Sequence, residues 1–333
     1  MRSKRAWTTL GVLAAIAGLI LLPRVLTSGY VVNVMITAIR WTIFALAFDL
    51  IAGHIGAVSL GQPVFYGLGA YTAAILGPML GLGFLGNILL AAFMMALLAL
   101  VTGAAFFRIR QVTFAIGTLG AALITQLIAN SATNLTGGAL CKSGVPRPQI
   151  LLPGMPEALV ITRPLQYYYL LLPFLALTII VYLALTRSRI GRAFTAVRED
   201  EIRASSVGIF PLRYKLVAFA ASGALIGALG SWQAQYVTVV CPTELAQDLT
   251  TGLLIMVFVG GAGRLRGVII GAIIFSLLPV VLQAGGSSTF PPAYQQIIYG
   301  LILISVMLFL PDGLDGLITR LIHRSRRRNL SET

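Results

Sequence analysis

The sequence predicts an all-α polytopic membrane protein of about ten transmembrane helices, and three observations carry that expectation. Of the 333 residues 58% are hydrophobic and 10% charged, with a mean hydropathy of +0.92. Soluble globular domains carry roughly a quarter charged residues, so that class is excluded. Apolar runs of roughly 17 to 25 residues recur along the chain, each long enough to cross about 30 Å of hydrocarbon as helix. The net charge of +14 would suggest nucleic acid in a soluble protein, but here the positive residues gather in loops beside the apolar runs.

The spans fall at about 7 to 27, 30 to 52, 58 to 80, 84 to 107, 112 to 130, 166 to 186, 214 to 236, 246 to 262, 267 to 285 and 294 to 311. With the N-terminus inside, 19 of the 24 Lys and Arg residues fall on the cytoplasmic side. Arg24, Lys142, Arg147 and Arg163 then face out, and Arg40 lies within a span. The positive-inside rule therefore sets the orientation and the even span count, with both termini cytoplasmic. The basic start and apolar core of residues 1 to 22 also fit a signal peptide. No clear small-x-small cleavage site follows, and Pro23-Arg24 closes the run, so the segment is read as the first span.

The second span carries Arg40 near its middle and Asp49 near its inner end. Nine residues of helix set them about 13.5 Å and half a turn apart, so they cannot pair with each other. Each must face protein, water or another helix. Arg40 either meets a substrate carboxylate in the translocation path or, as the favoured reading, bonds polar groups of a neighbouring span. The following stretch, GHIGAVSLGQPVFYGLGAYTAAIL over 53 to 76, is rich in small residues that let backbones approach or a helix break. Ser59, Gly61, Gln62 and Tyr71 are its candidate path residues, with Arg40 and Asp49. A loop rich in Pro, Gly and Thr follows the fifth span over 131 to 165 and faces out. Tyr167, Tyr168 and Tyr169 mark the membrane interface where the sixth span enters.

The longest charged segment is 187 to 215, with seven Lys and Arg and three acidic residues. Ile190, Ala193, Phe194, Val197 and Ala204 recur at helical spacing, and Glu199 stands four residues before Arg203, the favourable order for a helix-face ion pair. Gly208 followed by Pro211 reads as a helix stop. A short helical loop of this kind is shaped to dock on a soluble partner. In the seventh span Gly223, Gly227 and Gly230 are spaced for tight helix contact. Gly260, Gly261 and Gly263 form a tight turn beside Arg264 and Arg266. The phosphate-loop pattern G-x-x-x-x-G-K-[ST] is absent, and no Gly-Lys pair occurs. His54 and His323 are the only histidines, no His and Cys set has metal-ligand spacing, and no catalytic site is expected.

Three segments resemble the branched-chain amino acid permeases, the LivM-like membrane subunits of ABC importers. Gly191 to Lys215 is similar to that family's cytoplasmic loop, with its E-x-x-A-x-x-x-G pattern at Glu201, Ala204 and Gly208. Residues 53 to 76 resemble G-x-x-G-x-x-S-L-G-H-x-x-F-x-G-x-G-A-Y, with Gln62 in place of the common His, and 253 to 275 resemble the family's Gly-rich segment. The likeness runs from about residue 30 to 311.

The resemblance implies an ABC importer permease fold in one transmembrane domain over 1 to 333. Its parts would be a coupling loop at 187 to 215, an external loop at 131 to 165 and a basic cytoplasmic tail at 312 to 333, with spans 2 to 5 and 7 to 10 as an inverted repeat. It assigns ATPase contact to Gly191, Arg192, Arg198, Glu199, Asp200, Glu201, Ala204 and Gly208. Implied partners are a LivH-like second permease, two ABC ATPases that bind ATP and Mg, a periplasmic solute-binding protein and membrane lipid. The chain itself would hold no cofactor and sit in a bacterial inner membrane. The expected cargo is branched-chain amino acids, with urea, amides or other small polar solutes as alternatives. The rival from another class is an ion-coupled secondary transporter with its ion site around Asp49. Cys141 and Cys241 both fall in outward loops, where the family more often carries other residues. On the oxidising side they form a candidate disulfide.

Overall fold

A computed structural model describes residues 29–109, 111–150, 159–284, 300–301, 304–305 and 313–316. In chain order the long helices are α1 (Gly29–Ala52), α2 (Gln62–Leu80), α3 (Phe84–Phe106) and α4 (Gln111–Ser131). A single turn, α5 (Thr133–Thr136), precedes the strands β1 (Lys142–Ser143), β2 (Gln149–Ile150) and β3 (Leu159–Val160). Then come α6 (Pro164–Thr186), α7 (Arg189–Glu199), α8 (Glu201–Ser206), α9 (Pro211–Val237), β4 (Val239–Val240), α10 (Asp248–Gly260) and α11 (Leu265–Ala284). The expected second to ninth spans are thus helices close to their expected ends. The first span, 151–158 of the outer loop, most of the tenth span and the tail apart from 313–316 lie outside the described residues.

Prolines at the first helical positions of α6 and α9, and Pro63 within the first turn of α2, start those helices where a missing N–H costs nothing. Among the described residues six helices, α1, α2, α3, α4, α6 and α9, are long and apolar enough to cross a membrane. Their apolar surface is not all turned inward. The window of α9 is 72% buried, whereas those of α4 and α6 are each 22% buried, so α9 is central and the other two are peripheral. Side chains such as Phe93, Ile116, Leu127 and Ile180 project from the periphery, as lipid allows and water does not.

Small residues explain why α9 can be central. A Cβ at Gly69 of α2 would overlap the backbone of Gly227, one at Gly230 would overlap the Tyr66 carbonyl, and one at Gly227 would strike Met95 of α3. The expected glycine seam therefore lets α2 and α3 both press on α9 at backbone distance. Phe65, Phe107, Phe114 and Phe219 fill the space beside it with edge-to-face and stacked rings.

Tyr167 and Tyr168, expected to mark the interface where the sixth span enters, stand near the start of α6 with their side chains buried in the bundle. The Tyr167 hydroxyl faces the carbonyls of Ile161 and Gln235, 3.1 and 3.3 Å away, and so ties α6 to α9. The third span starts later than expected: residues 56–61 are non-helical and α2 begins at Gln62. The eighth is cut to 13 residues in α10, about 20 Å of helix and too short to cross a bilayer. Ahead of it a 3₁₀ turn, Pro242–Leu245, enters the bundle, and Leu245 packs on Gly67, five residues into α2. The Thr250 hydroxyl donates to the Leu60 carbonyl at 3.2 Å, so the interrupted starts of α2 and α10 meet inside the bundle.

Candidate functional site

The charged segment folds into two short helices hung from one end of the bundle. Ser188 accepts from the Ile190 N–H at 3.1 Å and starts α7, whose Ala193, Phe194 and Val197 are buried. Asp200 breaks the segment. Its carboxylate accepts from the N–H groups of Ile202 at 2.9 Å and Arg203 at 3.1 Å, which caps α8 and ends α7. Those backbone donors, followed by the Arg203 guanidinium, hold its carboxyl below the usual carboxylate range. The expected Glu199 to Arg203 pair is therefore absent among the described residues: the two stand on different helices, and Arg203 instead meets Asp200 at 3.0 Å.

Glu201 is tied to Lys215 of α9 at 2.5 Å, and Lys215 lies over the Phe107 ring. Ala204 is buried against the bundle, while Gly208 takes φ +83° and turns the chain toward Pro211. Gly191 presses on the Thr186 carbonyl, and Arg192 is exposed. The hairpin also carries apolar residues that point away from the protein: Ile202 is 81% exposed, Val207 74% and Phe210 61%. A cavity of about 500 Å³ opens between the hairpin and the ends of α3 and α4, with Arg108, Arg198, Glu199, Asp200, Glu201 and Lys215 around it.

Arg198 fastens α7 to the rest. Its guanidinium donates to the Gly53 carbonyl, and the Gly53 N–H donates to the Asp49 backbone carbonyl at 2.8 Å. The Asp49 side chain is fully buried. One oxygen accepts from the Gly263 N–H at 2.8 Å and the other from the Tyr182 hydroxyl at 2.6 Å. His54 Nε2 is 2.9 Å from the same hydroxyl. The hydroxyl has one proton and gives it to the carboxylate, so Nε2 donates to Tyr182 in turn. Burial, then the nearby Arg198 charge, pushes the imidazole down to about 4, and it is neutral at physiological pH. One buried carboxylate thus joins α1, α6 and the glycine turn between α10 and α11, directly beneath α7. Arg264 extends the assembly to Asp315 at 3.5 Å.

The other candidates separate into three places. Ser59, Gly61 and Gln62 lie in the interrupted stretch before and at the start of α2. Thr118 Oγ1 accepts from the Leu60 N–H at 3.0 Å there, and Ser59 and Gly61 line an apolar cleft of about 120 Å³. Gln62 is fully buried, with Ser222 Oγ 3.5 Å from its Oε1. Tyr71 is buried nearer the opposite end with Ala70, Val240 and Leu245. Arg40 is remote from Asp49. It lines a separate cavity of about 270 Å³ with Trp41, Phe44, Tyr66, Thr243, Glu244 and Leu249.

Cys141 and Cys241 are joined by a disulfide. The antiparallel pairing of β1 with β4 sets Lys142 opposite Val240, and one step along that register Cys141 faces Cys241 with 4.4 Å between Cα atoms. Sequence reasoning missed Tyr182, the role of His54, Glu244 and the exposed trio on the hairpin. An intramembrane aspartate does demand donors, but nothing in the chain marks which residue 133 positions away supplies one.

A bundle of apolar helices with interrupted segments meeting at its centre, and a charged hairpin keyed into one end, is the construction of a multi-pass membrane permease. The sequence relationships agree. The chain belongs to the family described as branched-chain amino acid transport system / permease component, matched over residues 30–307. It is 29% identical over 302 residues to the high-affinity branched-chain amino acid transport system permease protein LivM of Escherichia coli K12, covering 85% of this chain and 69% of that one. It is 26% identical over 302 residues to BraD of Pseudomonas aeruginosa, a permease protein of the same description, covering 86% and 94%. It is 26% identical over 252 residues to a probable LivM of Methanocaldococcus jannaschii, covering 71% and 70%. No solved structure matches significantly.

Proposed function

We propose that the chain is the permease subunit of an ATP-driven importer of branched-chain or closely related amino acids, and that the hairpin of α7 and α8 seats on an ATPase subunit. The observation that carries this reading is the two-faced hairpin. Its inner face, Phe194, Val197 and Ala204, is buried and locked through Arg198 to the Asp49 junction. Its outer face shows Ile202, Val207 and Phe210 amid charged side chains, an apolar patch that a soluble groove would cover.

Force applied by such a partner reaches α1, α6, α10 and α11 together, because the Asp49 carboxylate and the Gly53 carbonyl hold all four to the hairpin. The basic loops Arg108, 187 to 215 and Arg264 to Arg266 gather at that end, and this supports a cytoplasmic face for it in a bacterial inner membrane. The remaining assembly is a LivH-like permease, a second ATPase and a periplasmic binding protein facing the disulfide-linked end. ATP and Mg are bound by the ATPases, and this chain supplies the path and the lever. Alternating access then follows from rigid helices rocking about the interrupted segments.

The test is Ile202→Asp in the complete importer. Uptake of radiolabelled leucine and co-purification of the ATPase should both fall by about tenfold or more, with the chain still inserted. Normal co-purification would remove the basis for the docking assignment.

A further inference from the structure

The cavity beside Arg40 holds charge that the coupling reading leaves unexplained. Arg40 on α1 and Glu244 on the re-entrant turn ahead of α10 face the same space of about 270 Å³. Among the described residues no ion pair joins them, so a cation and an anion confront each other across a gap inside an apolar bundle. A charge in such a place is retained where it meets a partner, and a gap of this size between opposite charges admits one small solute. Pockets for larger ligands begin near roughly 300 Å³. The remaining wall is Trp41, Phe44, Tyr66 and Leu249, with Thr243 as one further polar residue.

We propose that this cavity is a binding subsite for a zwitterionic α-amino acid, in which Arg40 takes the carboxylate, Glu244 takes the ammonium and Trp41, Phe44 and Leu249 receive an apolar side chain. Two opposite charges at a fixed separation reject molecules that carry one of them. A carboxylic acid would leave Glu244 unpaired, an amine would leave Arg40 unpaired, and a neutral amide or urea would satisfy neither. The setting is also apt for passage, since Glu244 sits on the turn that enters the bundle against Gly67, where α10 is cut short. The inference refines the amino-acid reading and rests on it for the identity of the cargo.

Saturable binding of tritiated leucine to the purified full-length chain in lipid nanodiscs tests the cavity apart from transport, and leucine uptake by the complete importer is measured alongside. Arg40→Gln and Glu244→Gln should each weaken binding by about tenfold to a hundredfold, the usual loss for a charged hydrogen bond. The double variant R40Q/E244Q separates ligand contact from a structural charge balance. It should bind no better than either single variant if the charges hold leucine, and it should recover if they only neutralise each other. 4-Methylpentanoate and 3-methylbutylamine should compete poorly with leucine. Wild-type binding lost in the variants, with no uptake by the importer, would uphold the cavity and sink the transport reading. Absent wild-type binding, unchanged binding in the single variants, or recovery in the double variant would overturn the subsite.

Discussion

At the scale of single residues, the junction beneath α7 shows how a buried carboxylate is kept in a membrane helix. Asp49 has an N–H donor on one oxygen and a hydroxyl donor on the other, so its desolvation is answered by two short hydrogen bonds. His54 completes the chain of donors and has a consequence for pH. Its imidazole is held at about 4, below the ordinary 6.5, so the folded protein refuses a proton that the unfolded chain accepts. Stability therefore rises with pH between about 4 and 6.5 and is flat above, by at most about 3 kcal/mol from this group. Thermal melting of the purified chain across that window should show a steeper pH slope than the His54→Gln variant, and equal slopes would contradict the assignment. The need for donors at Asp49 is legible in the sequence, because an acid in a span must be answered. Tyr182 and the Gly263 N–H are not legible, because they come from distant positions through packing alone.

At the scale of elements, the hairpin depends on two positions with different physics. Gly208 has open space around it, so a side chain there would not clash; its φ of +83° is the constraint. A β-branched residue at that angle costs about 1 to 2 kcal/mol and favours a different exit from α8. Glu201 anchors the other side by its ion pair with Lys215 at 2.5 Å, and Glu201→Lys would replace that attraction by repulsion between two ammonium groups. Gly208→Val and Glu201→Lys should each abolish uptake while membrane insertion and chain abundance stay normal. Unimpaired uptake in both would deny the hairpin its coupling role. The buried stripe of this hairpin follows from sequence spacing, since Ala193, Phe194, Val197 and Ala204 are the residues that turn inward. Its break does not follow from that spacing. Asp200 keeps the period intact, and only its capping of the next helix decides that α7 stops. The small residues of 53 to 76 offered a break near α2 without placing it, and the interrupted start of α10 escaped altogether: hydropathy sees apolar residues in both and cannot tell a spanning helix from an extended stretch buried in protein.

At the scale of the whole molecule, the two ends of the bundle are built on different principles. One end is fastened by buried polar contacts around Asp49 that can yield, and the other by a covalent link. The disulfide joins residues 100 apart, and the β1 and β4 pair beside it binds the loop after α5 to the chain leaving α9. Under the proposed function, a transporter that rocks its inner end gains from a fixed hinge at the outer one, because motion is then confined to the helices that a partner on the hairpin would reach. A single experiment reads both ends. A specific protease site inserted after Ser206, in the exposed part of the hairpin, divides the chain into one fragment with Cys141 and one with Cys241. In inside-out vesicles the site should be cut, and in intact spheroplasts it should be spared, as the proposed cytoplasmic orientation of the hairpin requires. The cut chain should then run as one species without reductant and as two with it. Cutting in spheroplasts would reverse the orientation and remove the ATPase contact, while fragments that part without reductant would remove the covalent hinge and leave the orientation standing.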